Sequence, residues 1–199
     1  LPVIVENRAA GKLLSALLRV LTGRSLQQKQ SYLEGQLGKT IGSKHLTITD
    51  DPLLPRGFGS RLYDGDGIAA KKMAVFDAGV LKSYYIDVYY GRKLGSAPTT
   101  GSNSNVVFSA GKKGLAELMK DIKEGVLITS LLGGNSNTTT GDYSFGFQGF
   151  RVRKGAQAEA VAEMNVSGNQ KDLWKKLSAV GSDPWAYSAV RTPSLVFDG

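Results

Sequence analysis

The stretch TGDYSFGFQGFRV, residues 140–152, decides the fold class of this chain. Its aromatic residues first alternate with small or polar ones, as expected of a β-strand with one buried face. The alternation changes phase at Gly149, which predicts a β-bulge. Lys154-Gly155 then supplies a turn, and an apolar run returns at residues 161–166. The segment therefore predicts an antiparallel hairpin.

Similar patterns before and after residues 140–152 predict the remaining strands and helices. Apolar, β-prone runs predict strands at residues 3–5, 46–49, 73–76, 80–90, 126–132 and 195–197, with a hairpin turn at Asp77-Ala78-Gly79. Apolar residues at helical spacing predict three helices, at residues 7–21, 114–124 and 170–180. The polar stretches 96–105 and 133–141 predict loops, the first of them mobile. We therefore predict an α+β fold for a single domain over residues 1–199, with mainly short antiparallel strands in a sheet or barrel-like body and about three packed helices.

The composition is that of an ordinary globular domain, with 41% hydrophobic and 21% charged residues and 25 glycines among 199 residues. The chain has no cysteine, which excludes disulfide bonds and thiolate metal sites and fits a cytoplasmic protein. It begins at Leu1 with neither a methionine nor a basic stretch before an apolar run, so we expect no signal peptide and take the chain as a piece of a longer protein. No apolar stretch approaches the length of a membrane span, so no membrane partner is expected.

The formal net charge of +8 favours acidic partners or nucleic acid in principle. The basic residues are scattered, however, in small groups such as Lys71-Lys72 and Lys112-Lys113. No group interleaves bases with aromatic residues in the pattern of a nucleic-acid-binding module. A solvated surface is the preferred interpretation, and nucleic acid is not an expected partner.

Three weaker chemical signals each have a structural alternative. The sequence DGDG at residues 64–67 resembles the start of a calcium-binding loop, but Val75 stands at the twelfth position, where the loop needs a glutamate, so a turn is preferred. His45, the only histidine, precedes a β-prone run and is interpreted as a surface or hydrogen-bonded residue. A Ser-His-Asp triad has no Gly-x-Ser-x-Gly motif to support it.

Several segments match one protein family in order along the chain. The most specific is Thr140-Gly141-Asp142-Tyr143-Ser144, followed by Gly146, Gly149 and Phe150. The others lie at residues 2–5, 31–33, 63–67, 92–95, 167–169, 172–174 and 180–183. Together they resemble the carboxy-terminal domain of the TldD/PmbA family, and the details favour the PmbA (TldE) branch, which has also been called a modulator of DNA gyrase. Members of the family carry an additional amino-terminal domain, which this sequence does not include.

The resemblance implies a cytoplasmic two-component peptidase in which a TldD-like subunit binds zinc through a His-Glu-x-x-x-His motif on a helix. The corresponding positions in this sequence are Glu6, Asn7 and Gly11. A catalytic zinc ion needs about three protein ligands and a nearby base, and these residues include no imidazole. We therefore expect no catalytic residue, no metal and no other cofactor in this chain, with the zinc ion in a TldD-like partner.

Glycines and polar residues near the start of the 140–152 stretch are the candidates for contact with a peptide. Gly134, Asn135, Gly141, Asp142 and Tyr143 could line a ligand, because glycine permits close approach of a backbone. The structural alternative is a turn in which Asp142 accepts hydrogen bonds from neighbouring amides. The sequence leaves both interpretations open.

Three functions are compatible with these observations. The preferred one is the non-zinc, TldE/PmbA-like component of a TldD/TldE-type metallopeptidase system that processes or degrades peptides. Its partners would be a TldD-like subunit or a second copy of the chain, and a peptide held as an added strand along a sheet edge. The alternatives are a stand-alone peptidase with unusual metal ligands and a regulatory or binding protein related to DNA gyrase.

Overall fold

The computed structural model describes residues 1–199 and confirms the α+β class. The helices are α1 (Asn7–Arg19), α2 (Gly23–Gln27), α3 (Val88–Leu94), α4 (Leu115–Ile122) and α5 (Gln170–Leu173), the last continued by a 3-10 turn at Trp174–Lys176. The strands are β1 (Val3–Val5), β2 (Ile48–Asp50), β3 (Met73–Asp77), β4 (Val80–Leu81), β5 (Val106–Phe108), β6 (Gly125–Ser136), β7 (Asp142–Arg153), β8 (Ala156–Asn169), β9 (Leu177–Val180), β10 (Val190–Arg191) and β11 (Leu195–Phe197). None of the helices combines the length and the hydropathy that a membrane span requires.

The strands form two sheets in which most neighbours are antiparallel. One sheet has the order β8-β7-β6-β1-β11-β9, and only β1 and β6 run parallel in it. The other has the order β10-β5-β2-β3-β4, with β10 and β5 parallel. Strands β6, β7 and β8 contain 12, 12 and 14 residues, so they are longer than the predicted strands.

The six-stranded sheet has an apolar core on each face. On one face, the leucines of α1 pack with residues of both sheets, including Phe76, Phe108 and Phe145. On the opposite face, Leu118 of α4 covers a smaller cluster that includes Ile4 and Val152. The central strands are therefore buried on both faces, which fixes the position of α1 relative to the long hairpins.

The hairpin predicted from residues 140–152 is present. The turn uses Lys154 and Gly155, both with positive φ, of 51° and 76°. The register shifts next to Gly149 in both ladders of β7, although the extra residues lie on β6 and β8 rather than on β7 itself. Val152 departs from the earlier alternation because it faces the second core, under α4.

Three predicted segments differ from the structure. The predicted helix at residues 170–180 ends at Lys176, because β9 begins at Leu177 and pairs with β11. Within residues 80–90, only Val80–Leu81 is a strand, and a helix begins at Val88, where Asp87 accepts the N–H of Tyr90 at 2.6 Å. The predicted loop at residues 133–141 begins later, because β6 continues to Ser136.

The polar loop at residues 96–105, predicted to be mobile, is held against the second sheet. The Arg61 guanidinium donates to the hydroxyls of Thr100 and Ser102, both at 3.1 Å. The buried Asp50 carboxylate accepts the N–H of Ser104 at 2.9 Å. These contacts account for the burial of Ser104.

Candidate functional site

The three positions of the degenerate zinc motif lie where β1 leads into α1. The Glu6 carboxylate accepts a hydrogen bond from Arg8 at 3.0 Å. The Asn7 side-chain amide donates to the Asp183 carbonyl at 2.7 Å, and the Thr192 hydroxyl donates to the Asn7 carbonyl at 2.9 Å. The polar groups of Asn7 are therefore engaged by distant parts of the chain, whereas Oε2 of Glu6 is buried without a hydrogen-bond partner.

This arrangement does not fit a catalytic zinc ion. A Cβ placed on Gly11 would lie 3.6 Å from the Thr192 hydroxyl, so the position has room for a side chain but supplies none. The carboxylate of Asp183, whose carbonyl contacts Asn7, already accepts the N–H of Ser194 at 2.9 Å and its hydroxyl at 2.7 Å. No group of three or more histidine, cysteine or acidic residues is arranged to hold a metal ion. Whether the protein binds zinc stays a prediction.

Asp183 and Thr192 are contacts that the sequence did not assign. Residues 180–183 were among the segments matched to the family, yet nothing in their order indicated that they pack against the first turn of α1. This contact can be recognised only from the three-dimensional structure, because Asn7 and Asp183 are 176 residues apart in the chain. His45 is half-buried in the turn before β2, in the other sheet, and has no place in this contact.

Lys12 connects α1, the helix that carries Asn7 and Gly11, to the long β6–β7 hairpin through hydrogen bonds. Its ammonium group donates to the carbonyls of Leu131 at 3.3 Å and Gly133 at 2.7 Å. It also lies 5.0 Å from the centre of the Phe145 ring. An open groove of about 500 Å³ between α1 and β6 is lined by Arg8, Ala9, Lys12 and residues 129–131. Nothing in the sequence indicates this role, because Lys12 lies off the apolar stripe of α1.

The two candidate glycines at the end of this hairpin are close to the chain's own atoms. Gly134 has φ 79°, and a Cβ there would lie 2.1 Å from the Ser144 carbonyl oxygen. Gly141 has φ 91°, and a Cβ there would lie 2.9 Å from Oδ1 of Asn169. Asn135 is exposed and lies opposite Ser144 in the ladder. The space beside both glycines is thus used by the fold itself.

Asp142 is exposed, and its contacts differ from those predicted. Its carboxylate accepts the hydroxyl of Thr140 at 2.6 Å and the side-chain amide of Asn169 at 2.8 Å. The role of accepting neighbouring backbone amides, considered for Asp142, is filled by Asn137, whose side chain accepts the N–H of Thr139 at 2.9 Å. The hydrogen bonds from Thr140 and Asn169 lower the pKa of Asp142.

We expect an NMR titration of the Asp142 carboxyl carbon to give a midpoint below its ordinary value of about 3.9. Because folding lowers this pKa, the carboxylate favours the folded state above its unfolded pKa, and that contribution is lost as the pH falls through the folded value. Thr140→Val should raise the midpoint, since it removes the hydroxyl donor. Thr139→Val is the matched control, and equal midpoints in the two variants would contradict the assignment.

Tyr143 is the one candidate residue that lines a partly open, mainly apolar cavity. It is buried, which raises the pKa of its phenol, and it stacks on Phe145 with ring centres 5.7 Å apart. The cavity has a volume of about 190 Å³ and includes Leu13, Leu131 and Val166 in its wall. Most of its lining is apolar, and the charged residues Asp172, Lys176 and Asp198 also belong to its wall.

Comparison with protein families and curated sequences gives consistent matches. The model of the PmbA/TldA metallopeptidase C-terminal domain matches residues 1–199. Metalloprotease PmbA of Escherichia coli O157:H7 is 31% identical over 197 residues, which cover 98% of this chain and 44% of that protein. The Metalloprotease PmbA homolog of Haemophilus influenzae is 32% identical over 200 residues, 99% of this chain and 44% of that protein. The chain thus spans less than half the length of these relatives.

Solved structures share the fold. A protein of Bacteroides thetaiotaomicron VPI-5482, described as a candidate modulator of DNA gyrase, superimposes with a TM-score of 0.97 at 42% identity over all of this chain and 45% of that one. A similarly described protein of Thermotoga maritima MSB8 gives 0.92 at 29% identity over 98% of this chain and 48% of that one. TldE of Thermococcus kodakarensis gives 0.90 at 24% identity, covering 99% of this chain and 48% of that one, and shows likeness of fold alone.

Proposed function

The chain belongs to the PmbA/TldA metallopeptidase C-terminal domain family, and we propose that it acts as the component without a zinc centre in a two-component cytoplasmic peptidase. In this proposal a TldD-like partner carries the zinc ion and the hydrolytic chemistry. This chain contributes to assembly and to holding the peptide. It is inactive alone.

The observation that carries the proposal is the chemistry at the start of α1. Hydrolysis of a peptide bond needs an activated water and stabilisation of the developing oxyanion, and a zinc ion supplies both. At the motif positions, Glu6 is paired with Arg8 and Asn7 with Asp183, and Gly11 offers no side chain. A chain that keeps the family fold with these residues is best suited to a role beside a catalytic partner.

The outer edge of β8 supports a role in holding a peptide. This strand is 14 residues long, pairs only with β7, and forms one edge of the six-stranded sheet. An uncovered edge presents a row of backbone N–H and C=O groups that an extended peptide can use. Recognition through the backbone would accept many peptide sequences.

The pairing of two related subunits is physically reasonable, because similar folds carry similar surfaces and suit arrangements close to two-fold symmetry. The relatives named Metalloprotease PmbA make a stand-alone metallopeptidase the main alternative, with Glu6 as an unusual ligand. The other alternative is a gyrase-related binding role, which is suggested by the basic net charge and by the names of two structural relatives.

The test compares hydrolysis of unstructured peptides by this protein alone, by a TldD-like protein alone, and by both together. We expect the mixture to be at least roughly tenfold faster than the TldD-like protein alone, a difference of about 1.4 kcal/mol in the activation barrier, and this protein alone to be inactive. Elemental analysis of this protein should show no stoichiometric zinc.

A matched variant separates the proposal from the stand-alone alternative. Glu6→Gln removes the carboxylate but keeps the shape, so the mixture should retain its activity. Hydrolysis by this protein alone that is lost with Glu6→Gln or with a chelator would establish a stand-alone metallopeptidase. Equal rates for the TldD-like protein with and without this chain would contradict a two-component system.

A further inference from the structure

The second half of β6 has an edge that no strand covers. Strand β1 pairs with β6 only at Val126, Leu127 and Ile128. The N–H of Glu6 donates to the Ile128 carbonyl at 2.9 Å, and the chain then turns into α1. Beyond this point β6 pairs with β7 on one side, while its other side faces α1 across the open groove.

Lys12 occupies this uncovered edge. The carbonyls of Leu131 and Gly133 both accept its ammonium group, at 3.3 and 2.7 Å, so they lie on the edge that faces α1. Residues two apart in a strand carry their hydrogen-bonding groups on the same edge. An incoming strand would need to donate to these same carbonyls.

We propose that the ammonium group of Lys12 blocks a second strand-addition site. An extended peptide pairs with the β6 edge only when this group is displaced. The ligand class is an unstructured peptide recognised through its backbone. The inference shares with the proposed function only this choice of ligand, since it requires no partner and no hydrolysis.

The position of Lys12 indicates that it blocks the β6 edge and is more than a surface charge that happens to lie near the strand. Lysines on edges are a known means of preventing strand addition. Here the ammonium group is held from two directions, by the two carbonyls and by the Phe145 ring at 5.0 Å. Arg8, one turn earlier on the same helix, also lines the groove, but its guanidinium contacts Glu6 and the Trp185 ring instead of β6.

The experiment measures binding of a fluorescently labelled, uncharged, unstructured peptide by anisotropy. Lys12→Met keeps the apolar stem and removes the donor, and we expect it to bind the peptide at least about ten times more tightly than the wild type. Lys12→Arg retains donors and should bind like the wild type. Arg8→Met removes one positive charge from the same groove but leaves the carbonyls of Leu131 and Gly133 bound to Lys12, so it should not show the gain expected of Lys12→Met.

Hydrogen exchange locates the bound peptide. In Lys12→Met, the peptide should slow exchange in residues 129–136, whereas in the wild type it should not. Unchanged affinity in a folded Lys12→Met variant would overturn the proposal, as would an equal gain in Arg8→Met or protection confined to residues 156–169. If Lys12→Met does not fold, Lys12→Leu, which also lacks a donor, takes its place with the same expected outcomes. Because the measurement uses this protein alone, its result is independent of the two-component peptidase assay.

Discussion

Gly149→Ala should destabilise the protein by at least about 3 kcal/mol, the upper end of the usual cost of overpacking a filled interior. A Cβ on Gly149 would lie 1.9 Å from the carbonyl oxygen of Leu127 and 3.1 Å from the Cα of Ile128. These are backbone atoms of β6, the strand that also pairs with β1, so they have little freedom to move. The two strands would have to separate at the register shift.

The matched control is Gly146→Ala on the same strand. Its Cβ would meet only ordinary contacts, the closest being Oδ1 of Asn165 at 3.6 Å. We expect this variant to stay within about 1 kcal/mol of the wild type. In thermal unfolding, Gly149→Ala should lower the melting temperature by roughly 6 °C or more, at about 2 °C or more per kcal/mol for a chain of this size. Similar melting temperatures for the two variants would show that β6 can yield at this point.

Local patterns predicted the elements whose periodicity is carried by their own residues. The leucines of α1 recur at helical spacing and are buried in the main core. The hairpins at Gly79 and Gly155 form because a positive φ, of 84° and 76°, is available there. In each case the residues that decide the conformation are neighbours in the sequence, so the sequence alone is sufficient.

The predictions that differed depend on contacts between distant segments. Residues 170–180 have apolar residues at helical spacing, yet the helix stops because Leu177 begins a strand that pairs with β11. Residues 133–136 are polar and glycine-rich, but pairing with β7 keeps them in β6. Tertiary pairing overrides local preference in both segments.

In the candidate site, too, the sequence predicts the local features but not the contacts between distant segments. The sequence alone gives the residue types at the motif positions, and hence the lack of imidazole at Glu6, Asn7 and Gly11. It gave no indication of what lies against them, because Asp183 and Lys12 reach the site through packing. One hydrogen-bond partner of Asp142, Asn169, likewise comes from a distant segment, because it arrives from β8.

Trp174→Ala should cost about 3–5 kcal/mol, the range for removing a large aromatic side chain from a core. Trp174 is completely buried, and its ring lies 6.0 Å from that of Phe197 at an interplanar angle of 69°. Its indole N–H donates to Gln170 at 3.2 Å, and its carbonyl accepts the N–H of Ser43 at 2.9 Å. The alanine variant would leave a cavity and would remove one of the two donors to Oε1 of Gln170, the other being the hydroxyl of Tyr32 at 3.3 Å.

Trp185→Ala is the control, because this second tryptophan is only half-buried and should cost about 1 kcal/mol or less. Trp174→Phe should fall between the two, since it keeps most of the volume but removes the indole donor to Gln170. Chemical denaturation followed by circular dichroism gives all three free energies of unfolding. If Trp174→Ala unfolded at the same denaturant concentration as Trp185→Ala, the 3-10 turn at Trp174–Lys176 would not depend on the buried indole.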